Sequence, residues 1–236
     1  MTMKVGTWNL QQAAPPGPKA AAQRKAMEAM AADIWLLTEV HLGVSLDDQC
    51  IHHSEPRQIK PKQRWSAISS PWPLVALPSP HVGLALARVA TPHGSALVAC
   101  SVMPWRGAKT SWPGEPTAKH GVRFAESLDA HQDAIRTARD GSETVIWGGD
   151  FNQALEGRET AGSLAGQALL LEAFESLDLH PVTGHLDHRI DTIKSIDHIA
   201  VPSGWTTSDA NILMPTSVEG KPLSDHATYL VEVGPA

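Results

Sequence analysis

Apolar residues in this chain fall into short runs closed by polar ones, with a few longer stretches at helical spacing. Met3-Lys4-Val5-Gly6-Thr7-Trp8-Asn9 predicts a short strand ending in Asn. Pro15, Pro16 and Pro18 then break the chain, and Lys19 to Ala32, rich in Ala, Met, Lys and Glu, predicts a helix begun after proline. Asp33 to Glu39 predicts a buried strand that ends on Glu39. Prolines 61, 71, 73, 78 and 80 restrict residues 41–80 to short strands and loops. Val82 to Val89 and Ser95 to Met103, joined by Thr91-Pro92-His93-Gly94, predict a hairpin. Helices follow over Gly121–Arg139 and Ser163–Leu177, with a strand over Glu143–Trp147 between them. Ser195–Val201, Ala210–Met214 and Thr228–Val233 supply the last strands. This order predicts an α/β chain in which two sheets pack together with helices outside.

The 236 residues suit one domain spanning 1–236, since single domains often reach about 200–250 residues. A formal charge of −6 gives no global basic field for DNA or RNA, and it suits recruitment of a divalent cation to oxygen ligands. Cys50 and Cys100 share no metal-ligand spacing and read as reduced thiols of a cytoplasmic protein. No apolar run approaches the length of a membrane span, and no secretory leader opens the chain. A soluble monomer is expected.

Four polar fragments close or interrupt apolar runs. Asp150 and Asn152 follow Gly148-Gly149 and face the same way if the segment is extended, so together they can hold a water and a phosphate oxygen. Asp225-His226 puts a carboxylate beside a group that handles protons near neutral pH. Asp197 lies within the apolar Ile196–Val201 run, where a carboxylate needs a partner. His226 is the partner chosen here, because a working histidine needs a carboxylate to orient its ring; Lys194 is the alternative. Glu39 is the first choice for Mg²⁺, with Asn9 able to add an amide oxygen. Each fragment alone is ordinary turn or strand-end chemistry.

In this order, Thr-Trp-Asn, Leu-Thr-Glu, Gly-Gly-Asp-Phe-Asn, Ser-Ile-Asp-His-Ile and Leu-Ser-Asp-His resemble the endonuclease/exonuclease/phosphatase superfamily, the DNase-I-like fold. The resemblance implies a four-layer α/β sandwich with two central mixed β-sheets flanked by helices. It also implies a Mg²⁺- or Mn²⁺-dependent phosphoesterase. Asn9, Glu39 and Asp225 become metal-side residues, and Asp150, Asn152, Asp197 and His226 catalytic ones. One departure stands out. Many members close the mid-chain strand with His or Tyr near a proline, where this chain has Cys100-Ser101-Val102-Met103-Pro104. Arg106, Lys109 or His120 could supply the missing contact. Trp105 could stack a base or sugar, as could Trp112 and Trp72, although partial core burial is the commoner fate of Trp.

His52-His53 and His185-x-x-His188 are assigned to solvated loops, with a zinc site on His185 and His188 as a distant idea. The substrates in view are nucleic acid, DNA or RNA, and a small or lipid phosphate. The rival of another class is a non-catalytic or degenerate binding module on the same fold.

Overall fold

A strand that is apolar at every position needs cover on both faces, and Ile34-Trp35-Leu36-Leu37 receives it. In the computed structural model, which describes residues 2–57, 60–108, 112, 117–158 and 160–236, Ile34 and Leu36 enter one hydrophobic cluster while Trp35 and Leu37 enter another. The elements in chain order are β1 (Met3–Asn9), α1 (Pro18–Met30), β2 (Ile34–His41), β3 (Cys50–His53), β4 (Gln63–Ser70), β5 (Leu74–Leu77), β6 (Leu84–Thr91) and β7 (Gly94–Val102). There follow α2 (His120–Ala138), β8 (Thr144–Asp150), α3 (Leu164–Ser176), β9 (Leu179–Pro181), β10 (Asp197–Pro202), β11 (Trp205–Thr207), β12 (Asn211–Leu213) and β13 (Thr228–Pro235).

One sheet runs β11-β13-β1-β2-β4-β3, with β12 also on β13; the other runs β5-β6-β7-β8-β10-β9. Both are mixed, because β1 lies parallel to β2, and β7 to β8, among otherwise antiparallel pairs. Three clusters define the layers. Val5, Ile34, Leu36, Val98, Cys100, Ile146 and Ile199 fill the space between the sheets. Trp147, Leu97 and Ala99, on the far side of the second sheet, meet Phe124, Leu128 and Ile135 of α2 and Leu170 and Phe174 of α3. Trp8, Trp35 and Leu37 meet Met27 of α1 behind the first. The result is the expected four-layer α/β sandwich.

Several details depart from the expected pattern. Helix α1 stops at Met30, because Ala31 turns left-handed (φ 50°) and its N–H donates to the Met27 carbonyl (3.0 Å). Strand β2 runs past Glu39 to His41; Glu39 sits inside it at φ 49°. Strand β8 likewise continues through Gly148 and Gly149 to Asp150, pairing with β7 and β10 on either side. A Cβ on Gly149 would collide with the Ser101 carbonyl, and one on Gly148 with that of His198. The double glycine therefore serves strand-to-strand approach. His52 and His53 lie in β3, half-buried, and not in a solvated loop. The thiols of Cys50 and Cys100 are free, and among the described residues no helix is long and apolar enough to cross a membrane.

Candidate active site

The strand directions bring the polar run-ends to one edge of the sandwich. Asn9 ends β1 beside β2, where it pairs with Thr38. Asp150 ends β8 directly opposite Asp197, the first residue of β10. His226 lies just before β13, which pairs with β1. The two sheets meet here through side chains: Asn9 Nδ2 donates to Asp150 Oδ2 at 2.9 Å, and His226 Nδ1 donates to Asp197 Oδ2 at 2.7 Å. The pairing of Asp197 with His226 chosen from sequence is the observed one, while Lys194 pairs with Asp187 at 2.9 Å. Ser224 ties the His226 loop to the first sheet by donating to the Asn9 carbonyl (2.6 Å) and accepting the His226 N–H (3.1 Å).

His226 Nε2 points back into the cluster, 4.0 Å from Asp150 Oδ2 and 3.9 Å from Asp225 Oδ1. Asp150 and Asp197 are buried, Glu39 and His226 half-buried, and Asp225 exposed. Burial alone would lower the His226 pKa, but Asp197, Asp150 and Asp225 together overcome it and push the imidazole up to about 10. Burial, reinforced by Asp197, raises Asp150 to about 7, against the pull of His226 and of the Asn152 N–H. Glu39 is raised as well, first by burial; His226, Asn9 and Arg57 oppose the shift.

Asn152 lies at the margin. Its N–H donates to Asp150 Oδ1 (3.0 Å) and its side-chain amide to the Met103 carbonyl (2.9 Å), which the left-handed backbone at φ 49° allows. Met103, at the place where many family members carry His or Tyr, is buried in the helix-side core. Behind it Ser101 Oγ bonds His131 Nδ1 (2.9 Å), and His131 Nε2 bonds His81 Nδ1 (2.8 Å).

The expected substrate contacts fare differently. Arg106 is exposed and donates to the Gly162 carbonyl. The His120 ring bonds the Pro104 carbonyl (2.9 Å). Trp105 is half-buried beside Trp65, with ring centroids 6.0 Å apart. Lys109 lies outside the described residues. Trp112 is a core residue against Trp65 (5.2 Å), and Trp72 is packed at the inter-sheet core, so neither is an open stacking platform.

Two further residues stand at the site, one with no sequence signal and one assigned from sequence to a solvated loop. Arg57 lies over the Trp65 ring, 3.7 Å from its centroid, and its charge reaches Glu39. No local pattern marks it, because the contact depends on β4 bringing Trp65 alongside β2. His188 is buried, not solvated, and its ring packs edge-on against His226 at 5.5 Å. The metal-capable grouping of three found among the described residues contains His188 but not His185: it is His188, Asp197 and His226.

Fit to a divalent cation can be judged from charge and donor type. Four carboxylates, Glu39, Asp150, Asp197 and Asp225, surround His226, with Arg57 on the Glu39 side and Arg189 on the His188 side as further cations in reach. Negative charge is therefore in surplus, and the carboxylates offer the oxygen donors that Mg²⁺ and Mn²⁺ prefer. The amide oxygen expected of Asn9 is not offered, because Nδ2 faces Asp150 and Oδ1 accepts the Gln11 N–H (3.0 Å). Cys100 is no rival ligand, because burial pushes its thiol up and Sγ is engaged with the Leu37 carbonyl (3.3 Å).

The sequence profile described as the endonuclease/exonuclease/phosphatase family matches residues 6–226. The chain belongs to this family. No curated protein matches this endonuclease/exonuclease/phosphatase member, but solved structures do, at low identity and over almost the whole length. An AP endonuclease from Archaeoglobus fulgidus has TM-score 0.68 at 13% identity, covering 97% of this chain and 98% of its own. Humanized D. rerio TDP2 has TM-score 0.67 at 12% identity, covering 99% of each chain. Sphingomyelinase C from Streptomyces griseocarneus has TM-score 0.61 at 16% identity, covering 98% and 99%. These likenesses are of fold; family and fold neighbours are hydrolases of phosphoester bonds.

Proposed function

We propose that the chain is a phosphoesterase that depends on Mg²⁺ or Mn²⁺. The observation that carries this reading is the meeting of Asn9, Glu39, Asp150, Asp197 and His226 from both sheets at one edge. Burying several carboxylates together is costly, and the fold gains nothing from it unless they act on something. That cost speaks against a degenerate binding module.

Glu39, with Asp225 and Asp150 within electrostatic reach, would hold a divalent ion, which would supply positive charge to neutralise a phosphate there. Asp150, raised to about 7, is suited to take the proton of an attacking water. Asn9 fixes its orientation through Oδ2, and the Asn152 N–H through Oδ1. His226 stays protonated near neutral pH, so it serves as the cation and proton donor facing a phosphate oxygen, and not as the base. Asp197 holds the ring and stabilises the imidazolium.

The test is turnover of a phosphoester panel, plasmid DNA included, with Mg²⁺, with Mn²⁺ and with EDTA, for wild type, Asp150→Asn and His226→Ala. Metal-dependent turnover that falls by at least about 10²-fold in each variant supports the reading, that being the scale of acid–base groups. Undiminished activity in either variant removes that residue from the chemistry. Nucleic acid and a small or lipid phosphate remain the two substrate classes. A steep loss of affinity with salt marks the first and a flat response the second.

A further inference from the structure

His188 belongs to none of the steps above, yet it is locked against them. Its loop is pinned from three directions: the His188 N–H donates to the Ile193 carbonyl (2.9 Å), Tyr229 Oη donates to the Asp187 carbonyl (2.9 Å), and Arg189 Nη1 donates to the Ser224 carbonyl (2.7 Å). One ring nitrogen of His188, one of His226 and one oxygen of Asp197 lie within 4.8 Å of one another.

The proton on His188 can be located by elimination. Its Nδ1 accepts the Ile190 N–H at 3.0 Å, so the neutral ring carries its hydrogen on Nε2. That Nε2 is buried and has no hydrogen-bond partner. Asp197 offers the complement: Oδ2 accepts from His226, while Oδ1 is buried and has no partner either. A buried donor and a buried acceptor, each left over, share one small cluster, and leaving both unmet is costly. The same tautomer disqualifies the three residues as a metal set. A protonated Nε2 has no lone pair to give, and Nδ1 is taken.

We propose that His188 is a positioning residue: its Nε2–H donates to Asp197 Oδ1, directly after a small ring rotation or through one buried water. The carboxylate is then held on both oxygens by imidazoles and cannot swing away from His226.

The test separates donor from loop support with two full-length variants. His188→Gln keeps an N–H at the reach of Nε2 but loses the acceptor for Ile190. His188→Asn keeps an acceptor near Nδ1 but loses the donor. The proposal expects Gln within about threefold of wild-type kcat and Asn lower by about tenfold or more at unchanged KM, the scale of supporting partners. The reverse order overturns it.

This kinetic arm rests on the phosphoesterase reading, but a second arm does not. In ¹⁵N-histidine NMR of the metal-free protein, His188 should appear neutral with its hydrogen on Nε2, and Asp197→Asn should move that resonance. A hydrogen on Nδ1, or no response to Asp197→Asn, sinks the proposal. So does one-to-one Zn²⁺ binding that perturbs His188 and His226 together and is lost in His188→Asn. Absence of turnover on every phosphoester would sink the catalytic reading alone, and the NMR result would still decide the role of His188.

Discussion

Asn9 and Asp150 are 141 positions apart in the chain and 2.9 Å apart in space, joined by a hydrogen bond between the two sheets. Asp150 is buried, so Oδ2 has few other sources of a donor. Asn9→Leu should lower unfolding stability by about 1–3 kcal/mol, the cost of stranding a buried acceptor. Urea denaturation of the metal-free protein measures it. Unchanged stability would mean that the bond is made good elsewhere.

The raised pKa values predict how the metal-free protein responds to pH. A group whose folded pKa exceeds its unfolded value contributes stability that is complete below the unfolded pKa and lost as pH climbs through the folded one. For His226 that window runs from about 6.5 to about 10, and for Asp150 from about 3.8 to about 7. Both slopes have the same sign. The melting temperature in EDTA should therefore fall as pH rises from 4 to 9, with about the lower half of that fall flattened in Asp150→Asn. A melting temperature that rises over this range contradicts the assigned protonation states.

Divalent cations should reverse the loss at high pH. A ligand that binds only the folded state stabilises it by RT ln(1 + [L]/Kd), about 2.7 kcal/mol at a hundredfold excess over Kd. Differential scanning fluorimetry with Mg²⁺ should show a saturating increase that is strongly reduced in Glu39→Gln. An equal increase in that variant would move the ion away from Glu39.

Gly149 tests the frame itself. Its φ of 126° and the closeness of the Ser101 carbonyl leave no room for a Cβ. Gly149→Ala should cost about 1–3 kcal/mol in backbone strain alone, with further loss as β7 is pushed from β8. Calorimetry would reveal it, and a neutral effect would mean that the two strands part easily.

Much of this was legible in the chain because the signals were local. The β1 boundaries and the hairpin of β6 and β7 follow from alternation and turn residues, and the Asp197–His226 pair from the cost of a carboxylate in an apolar strand. What stayed hidden depends on distant pairing. Arg57 matters because Trp65, in another strand, lies beneath it. His188 sits in a loop but is buried, because the bonds from Tyr229 to the Asp187 carbonyl and from Arg189 to the Ser224 carbonyl pin that loop against distant chain, and its ring packs on His226. The ends of β2 and β8 extend beyond what local pattern shows, because β4 resumes pairing with β2 after the unpaired Glu39, and β7 and β10 hold Gly148 and Gly149 in register from either side.

The left-handed backbone at Glu39 and Asn152 has an implication for engineering. Both are side chains in a conformation that glycine adopts with ease. A library selected only for thermal resistance should therefore drift toward glycine at these two positions, gaining heat tolerance while discarding an acid and an amide. If Glu39 and Asn152 act as proposed, stability and turnover oppose each other at these two positions, and a screen that reads stability alone will harvest well-folded, inert proteins.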